Sequence, residues 1–309
     1  MTPAIAVSGI SKRFGEHRAV NNVSIEVPEG SIYGFIGPNG SGKTTTIRMI
    51  MNILVPDAGQ IHVLGRPTAS GVRDEVGYLP EERGLYKKMT VRRVLRYYGQ
   101  LKGKPASEID TATRDWLARL QLTDWADKKV EQLSKGMAQK VQFIAAVVST
   151  PKLLILDEPF SGLDPVNAEA LKDAVLEMRR RGTTIVFSTH DMHTAERMCE
   201  RIFMIFKGNK VLDGTLDEIQ AEYGYDTARV RTAGGASLLA GMPSVESIND
   251  HGNYQDVKLN GDPQAFLHQL VQKTTVQHFE VRRPSLHDIF VRIAQPSEED
   301  LKAGEGGAL

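Results

Sequence analysis

The chain reads as an α/β protein with a mostly parallel core sheet, an antiparallel β part and a helical insert, followed by a small α+β domain. Three observations predict this. A strand over residues 31–36 runs into the glycine-rich stretch Gly37-Pro38-Asn39-Gly40-Ser41-Gly42, and a helix of alternating Thr, Ile and Met follows to about Leu54. Strand, glycine loop and helix are the context of a phosphate-binding loop. The apolar run Leu153-Leu154-Ile155-Leu156 follows Pro151 and ends in an acidic pair, as in a parallel-sheet strand buried on both faces. After about Tyr223 the texture changes to short strands and helices separated by the glycine joints Gly234, Gly235, Gly252 and Gly261.

Taken in order, residues 4–10 and 23–27 read as short strands, with Gly15 and Glu16 forming a turn after Phe14. Residues 90 to about 130 read as mostly helical, with a break and fresh start at Pro105 and Ser107. Trp116, Leu117, Leu120 and Leu122 supply an apolar face there. Trp116 and Trp125 are expected in the insert core. A helix over about 135–148 ends before Pro151. A second helix over 166–181 and a strand over 184–188 complete a right-handed βαβ unit. The later part predicts strands near 227–232, 254–260 and 276–282, with helices near 263–273 and 285–294. Phe290 and Ile293 on one helix face are expected to pack on the small sheet. The resulting division is a main domain over 1–222 with its insert at about 88–150, an accessory domain over 223–295, and a disordered tail over 296–309.

Bulk properties narrow the function classes. The 309 residues carry 38 Lys and Arg against 38 Asp and Glu, so no overall basic field argues for nucleic acid or an anionic membrane surface. The Arg179-Arg180-Arg181 run reads as the solvated end of a helix closed by Gly182, where cations complement the dipole. Cys199 is the only cysteine, which excludes an intrachain disulfide and fits a reducing compartment. It is expected to be a small buried hydrophobe. The N-terminal segment lacks the charged and apolar regions of a signal peptide. Nowhere do about 18 consecutive apolar residues occur, so a membrane role requires a separate subunit.

The chemistry-bearing residues begin at GPNGSGKT, residues 37–44. The glycines let consecutive backbone N–H groups close around a β-phosphate. Lys43 neutralises β and γ oxygens, and the Thr44 hydroxyl ligates Mg2+; Thr45 completes the loop's contacts. Such a match arises by chance in on the order of one in a hundred chains of this size. Asp157 and Glu158 end the buried apolar run, where a nucleotide's metal and attacking water must sit. Asp157 would hold Mg2+ through water and Glu158 would be general base; taken alone, such a pair also serves as a cap or turn.

The ordered set GPNGSGKT, LSKGM at 133–137, LLILDEP at 153–159, SGLD at 161–164 and His190 resembles the nucleotide-binding subunit of an ABC transporter over residues 4 to about 220. The resemblance implies MgATP hydrolysis by a head-to-tail dimer with a second copy of the chain. It also implies a separate multi-span membrane permease, which would hold the protein on the cytoplasmic face of the membrane. Ser134 and Gly136 match the signature residues that supply a hydroxyl and a backbone N–H to the γ-phosphate across the dimer; Ser134 is also a natural N-cap. Lys135 and Met137 depart from the family pattern. Lys135 adds charge near the phosphates, and Met137 lacks an amide's hydrogen bonds. His190 matches the switch histidine, and Asp164 matches the aspartate whose loop connects the two sites, besides being a turn residue before Pro165. Glu81 stands where the family has a glutamine that ligates Mg2+ and follows the permease, with Glu82 as the alternative by a register shift. Phe14 matches the residue that stacks on adenine, against the alternative of a core phenylalanine. The ending over 283–292, together with LPEERGLY at 79–86, resembles the branch with a small C-terminal domain found on sodium-extruding and related bacterial exporters. The competing reading is a soluble ABC-type ATPase that regulates or remodels without transport. One P-loop and no sustained heptads separate the chain from the translation and repair members of that class.

Overall fold

The computed structural model describes residues 3–67, 72–82, 84–223 and 227–294; the tail expected over 296–309 lies outside them. The chain divides into two compact units, Met1–Gly214 and Thr215–Leu309. The first opens with β1 (Ile5–Phe14) and β2 (His17–Val27), an antiparallel hairpin turning at Gly15 and Glu16. Next come β3 (Ile32–Ile36) and α1 (Lys43–Ile50), then β4 (Ala58–Val63) and the two-residue β5 (Arg66–Pro67). The four strands outside β3 form an antiparallel sheet in the order β2-β1-β4-β5.

Past β6 (Val76–Leu79) the chain enters the helical insert with α2 (Val91–Leu101), α3 (Ala106–Arg119) and α4 (Lys135–Val147). Thr90 caps α2 by accepting from Arg93 N, and Ser134 caps α4 by accepting from Met137 N at 3.3 Å. The break between α2 and α3 falls just before Pro105, which supplies the N-cap backbone of α3. The insert leads into β7 (Leu153–Asp157), α5 (Pro165–Arg180), β8 (Thr184–Thr189), α6 (Met192–Met198), β9 (Arg201–Phe206) and β10 (Asn209–Gly214). The main sheet has the order β10-β9-β3-β8-β7-β6. Its ladders are parallel from β9 to β6, and only β10 runs antiparallel, at the edge.

The sheet is buried on both faces because its side chains alternate between two cores. Leu154 and Leu156 of β7 join Val94, Leu117, Phe143, Ile144 and Val175 of the helical side. Leu153 and Ile155 join Ile47 of α1 and Val7, Val20 and Ile61 of the antiparallel sheet. A period of two with apolar residues at every position is thus what both layers require. Trp116 is 2% exposed in the insert core, meeting Phe143 edge-on, and Trp125 packs at its margin. The Arg179–Arg181 run is more engaged than a merely solvated helix end. Arg179 pairs with Glu200, Arg180 and Arg181 pair with Glu177, and Arg181 lies over Trp116. Cys199 is not fully buried as a residue, yet its Sγ fills the space over Gly34 and burial pushes the thiol pKa up.

The second unit contains α7 (Leu216–Glu222), β11 (Thr227–Thr232), α8 (Gly235–Ala240), β12 (Val245–Asp250), β13 (Gln255–Leu259), α9 (Pro263–Lys273), β14 (Val276–Arg282) and α10 (Leu286–Ala294). Its antiparallel sheet has the order β12-β13-β11-β14. Ala228, Val230, Val257 and Leu259 on one face meet Leu239, Phe266 and Leu270 from α8 and α9. The division falls at Gly214 and Thr215 rather than near 222, because α7 belongs here. Thr215 begins it with a reciprocal cap, and Gln220 donates to Pro284 O. Within α10 the fully buried positions are Leu286 and Ile289, with Phe290 and Ile293 half-buried. Helix α8 and strand β12 are absent from the sequence expectation. Only Val245 and Ile248 of the edge strand β12 touch the core, so it shows no alternation to read.

Phe203, fully buried in β9 and tilted against Phe35, is a direct probe of the layered core. Phe203→Ala is expected to lower unfolding free energy by about 3–5 kcal/mol, measured by urea denaturation. A loss under about 1 kcal/mol would contradict close packing there.

Candidate nucleotide site

The C-terminal ends of β3, β7 and β8 lie together because the three strands are parallel neighbours in the register Ile36 with Thr189 and Asp157 with Ser188. Directly after β3, the glycine loop makes two close approaches. A Cβ on Gly37, whose φ is 153°, would stand 2.2 Å from Ile205 O, and one on Gly42, with φ 112°, would stand 2.4 Å from Ala19 O. Both positions therefore demand glycine. The loop then enters α1 at Lys43.

Lys43 is 5% exposed. Its ammonium donates to Gly37 O at 2.7 Å and Pro38 O at 3.1 Å, and lies 3.8 Å from Glu158 Oε1. Burial pushes its pKa below the usual lysine range, an effect opposed by Glu158, Asp157 and Glu81. At the end of β7, Asp157 Oδ1 accepts from Ser188 Oγ at 2.5 Å and from Thr44 Oγ1 at 3.3 Å. Ser188 Oγ in turn accepts from Glu158 N at 3.0 Å. Glu158 itself takes φ 48°, a left-handed conformation that is uncommon for residues with a Cβ and that clusters at functional positions. Its Oε1 lies 3.0 Å from His190 Nδ1.

Gly42, Lys43, Thr44 and Glu158 line a cleft of about 380 Å³, with Phe14, Asn39, Gly40, Thr45 and Glu81 also on its wall; Asp157, Ser188 and His190 adjoin it through their hydrogen bonds to Thr44 and Glu158. Phe14 is 52% exposed, which removes the alternative of a core phenylalanine, and Lys12 Nζ lies 5.9 Å from its ring centre. Among the described residues, two buried oxygens of this region have no hydrogen-bond partner, Ser41 Oγ and Asp157 Oδ2. An orphaned hydroxyl beside the loop and an orphaned carboxylate oxygen beside Thr44 fit a phosphate and a hydrated divalent cation.

Of the sequence-expected residues, Gly37, Pro38, Ser41, Asp157 and His190 adjoin the cleft without lining it, and Ser134, Gly136 and Asp164 do not line it either. Gly136 packs against Asn167, with a virtual Cβ 2.7 Å from its Nδ2, and Asp164 caps α5 by accepting from Asn167 N at 3.0 Å. Hydrogen bonds from Asn167 hold the Asp164 carboxyl below the usual carboxylate range. The sequence expectation omits Ser188, His17 and Ala19. Ser188 is recognisable only through strand pairing, since a serine at the end of an apolar strand carries no signal of its own.

Residues 20–161 match the ABC transporter family, and residues 214–294 match the C-terminal domain of DrrA1-3-like ATP-binding proteins. The uncharacterized ABC transporter ATP-binding protein YhaQ of Bacillus subtilis is 40% identical over 289 residues, covering 93% of this chain and 97% of the relative. The chain belongs to the ABC transporter ATP-binding proteins. Within that family, the Nod factor export ATP-binding protein I of Burkholderia lata is 32% identical, covering 94% of this chain and 97% of its own. A solved structure of the ATP binding subunit of an ABC transporter superposes with TM-score 0.68 at 32% identity, covering 72% of this chain and 93% of its own. The fold of an ABC ATPase subunit is therefore common to both chains.

Ser188 joins both strand-end acids. Ser188→Ala is expected to reduce stability by about 1–3 kcal/mol, the cost of unsatisfied buried partners, read by thermal or urea unfolding. No change would show that the hydroxyl is dispensable to the arrangement.

Proposed function

We propose that the protein hydrolyses MgATP and that two copies, arranged head to tail, use this cycle to drive a separate multi-span permease. The observation that carries the hydrolytic reading is that Lys43 and Glu158 share one cleft wall, with His190 against the Glu158 carboxylate and an orphaned Asp157 oxygen beside them. Bound Mg2+ would neutralise charge on the β and γ oxygens, with Thr44 and Asp157 as the residues that hold it and Glu81 as an additional oxygen ligand. Lys43 would exchange its carbonyl partners for phosphate oxygens. The backbone of residues 37–42 would close around the β-phosphate. Glu158 would accept the proton of the attacking water, with its carboxylate fixed by the His190 imidazole and its backbone fixed by Ser188. Phe14 offers an exposed π face for adenine.

The dimer is supported by what lies outside the cleft. Ser134 is exposed at the start of α4, where its hydroxyl and the backbone N–H of Gly136 suit a γ-phosphate. Their contacts in this chain are with Met137 and Asn167 rather than with the residues of the cleft, so a second copy would use them. No helix among the described residues is long and apolar enough to cross a membrane, which agrees with a permease on another chain. The accessory unit and the relative named for Nod factor export support outward transport, of sodium or a related cargo as the C-terminal resemblance implies. In that arrangement the protein would be peripheral on the cytoplasmic face of the membrane.

Glu158→Gln is expected to lower ATP turnover by about a hundredfold or more while nucleotide binding persists and an ATP-bound dimer accumulates in light scattering. Near-normal turnover would remove Glu158 as base. Phe14→Ala is expected to weaken ATP binding by about 5- to 100-fold through lost stacking, measured by isothermal titration; unchanged affinity would leave adenine without this platform. Purification from membranes should recover a multi-span protein, and recovery of a soluble partner alone would overturn the transport reading.

A further inference from the structure

Helix α4 carries two glutamines in a segment otherwise built for the core. Gln139 and Gln142 are 4% and 6% exposed, and at a spacing of three residues they share one helix face. Their neighbours Val141, Phe143 and Ile144 are fully buried. An amide in such surroundings is destabilising unless it is bonded, so its partners show what it is for. Gln139 Nε2 donates to Pro159 O at 3.1 Å, the residue after Glu158. Gln142 Nε2 donates both of its bonds around Glu81, to Pro80 O at 3.3 Å and Glu82 O at 3.2 Å.

The second pair of bonds has little competition. Strand β6 ends at Leu79, so Glu81 lies outside its ladder, and the preceding Pro80 has no N–H to contribute. Beside the loop is a cavity of about 460 Å³ lined by Tyr78, Pro80, Gly84, Gln142 and Ala145, which gives the loop space to move once it is released. Gln142 Oε1 is buried with no hydrogen-bond partner among the described residues. An apolar side chain of equal size would avoid that orphaned oxygen. What it would not supply is the forked N–H donor that spans the two carbonyls.

We infer that Gln142 is a positioning residue for Glu81, tying its loop to the signature helix α4 so that the Glu81 carboxylate is presented to the cleft it shares with Lys43, Thr44 and Glu158. The inference rests on the proposed hydrolysis only in taking MgATP as the ligand of that cleft. Helix α4 begins at Ser134, and through Gln139 and Gln142 it grips the loops that follow Glu158 and flank Glu81. Any displacement of α4 is therefore transmitted to both acidic residues together.

A double-mutant cycle on the full chain tests this, using wild type, Gln142→Ala, Glu81→Ala and the double variant, with kcat, KM for ATP and half-saturating Mg2+ as readouts. Gln142→Ala is expected to lower kcat about fivefold and to change the Mg2+ dependence, with KM for ATP moving less than about twofold; in the Glu81→Ala background the same change should have less than about a twofold effect. Equal losses in the two backgrounds, or no loss in either, overturn the inference. Gln142→Met keeps length without the donor and should behave like Gln142→Ala. Wild-type activity in Gln142→Met shows that volume alone suffices and also overturns it. If Gln142→Ala fails to fold, Gln142→Met takes its place in the cycle. If wild type binds MgATP without turning it over, the hydrolytic reading fails separately, and the same cycle read as Mg2+-dependent nucleotide affinity decides the role of Gln142.

Discussion

A lysine ammonium held almost out of solvent at the open end of a parallel sheet is the constraint around which the first unit is organised. Lys43 can stay there only because two loop carbonyls and the Glu158 carboxylate face it, since an uncompensated buried charge is strongly destabilising. Those carbonyls require the backbone of Gly37 and Pro38 to turn inward, and a side chain at Gly37 would collide with Ile205 O. Glu158 in turn reaches Lys43 from a left-handed backbone that Ser188 and His190 help to maintain. Removing one element leaves the others with unmatched polar groups in a region of low dielectric.

This polar cluster sits between two apolar layers, and the layers explain its rigidity. Strands β3, β7 and β8 are packed on both faces, so their C-terminal ends cannot shift independently. The side chains that emerge there inherit the register of the ladders. Asp157 meets Ser188 because the two residues are register partners. A densely packed interior of this kind moves in discrete steps rather than by gradual deformation, as a site driven by nucleotide would require.

The departures at LSKGM acquire physical meaning from the packing. Met137 donates its N–H to Ser134 and lays its side chain at the margin of the helical core, so a thioether replaces an amide where contact is largely apolar. The Lys135 side chain lies over Gly162, where a Cβ would collide with its Nζ; its charge is directed toward the SGLD loop of the same chain. Together with Gly136 against Asn167 and Gln139 on Pro159, this makes the start of α4 continuous with the loop after Glu158. The accessory unit is independent of these contacts, having its own four-stranded sheet and its own apolar cluster.

Much of this was legible in the sequence, for reasons that are local. The phosphate loop, the strand ending in Asp157 and Glu158, and the cap at Ser134 depend on residue type and short spacing, which the chain carries wherever it folds. The parallel sheet followed from one apolar run, because only burial on both faces suits four consecutive large aliphatic residues. The exposure of Phe14, the role of Ser188, the edge strand β12 and the membership of α7 in the second unit were decided by tertiary structure alone. Each depends on what a residue meets from a distant segment, and the same serine, valine or helix is compatible with several such partners. Gln142 shows the limit most clearly. Its sequence marks a polar residue on an apolar helix face, but the two carbonyls that justify it are 60 and 62 residues away and exist as a pair only once α4 has packed against β6.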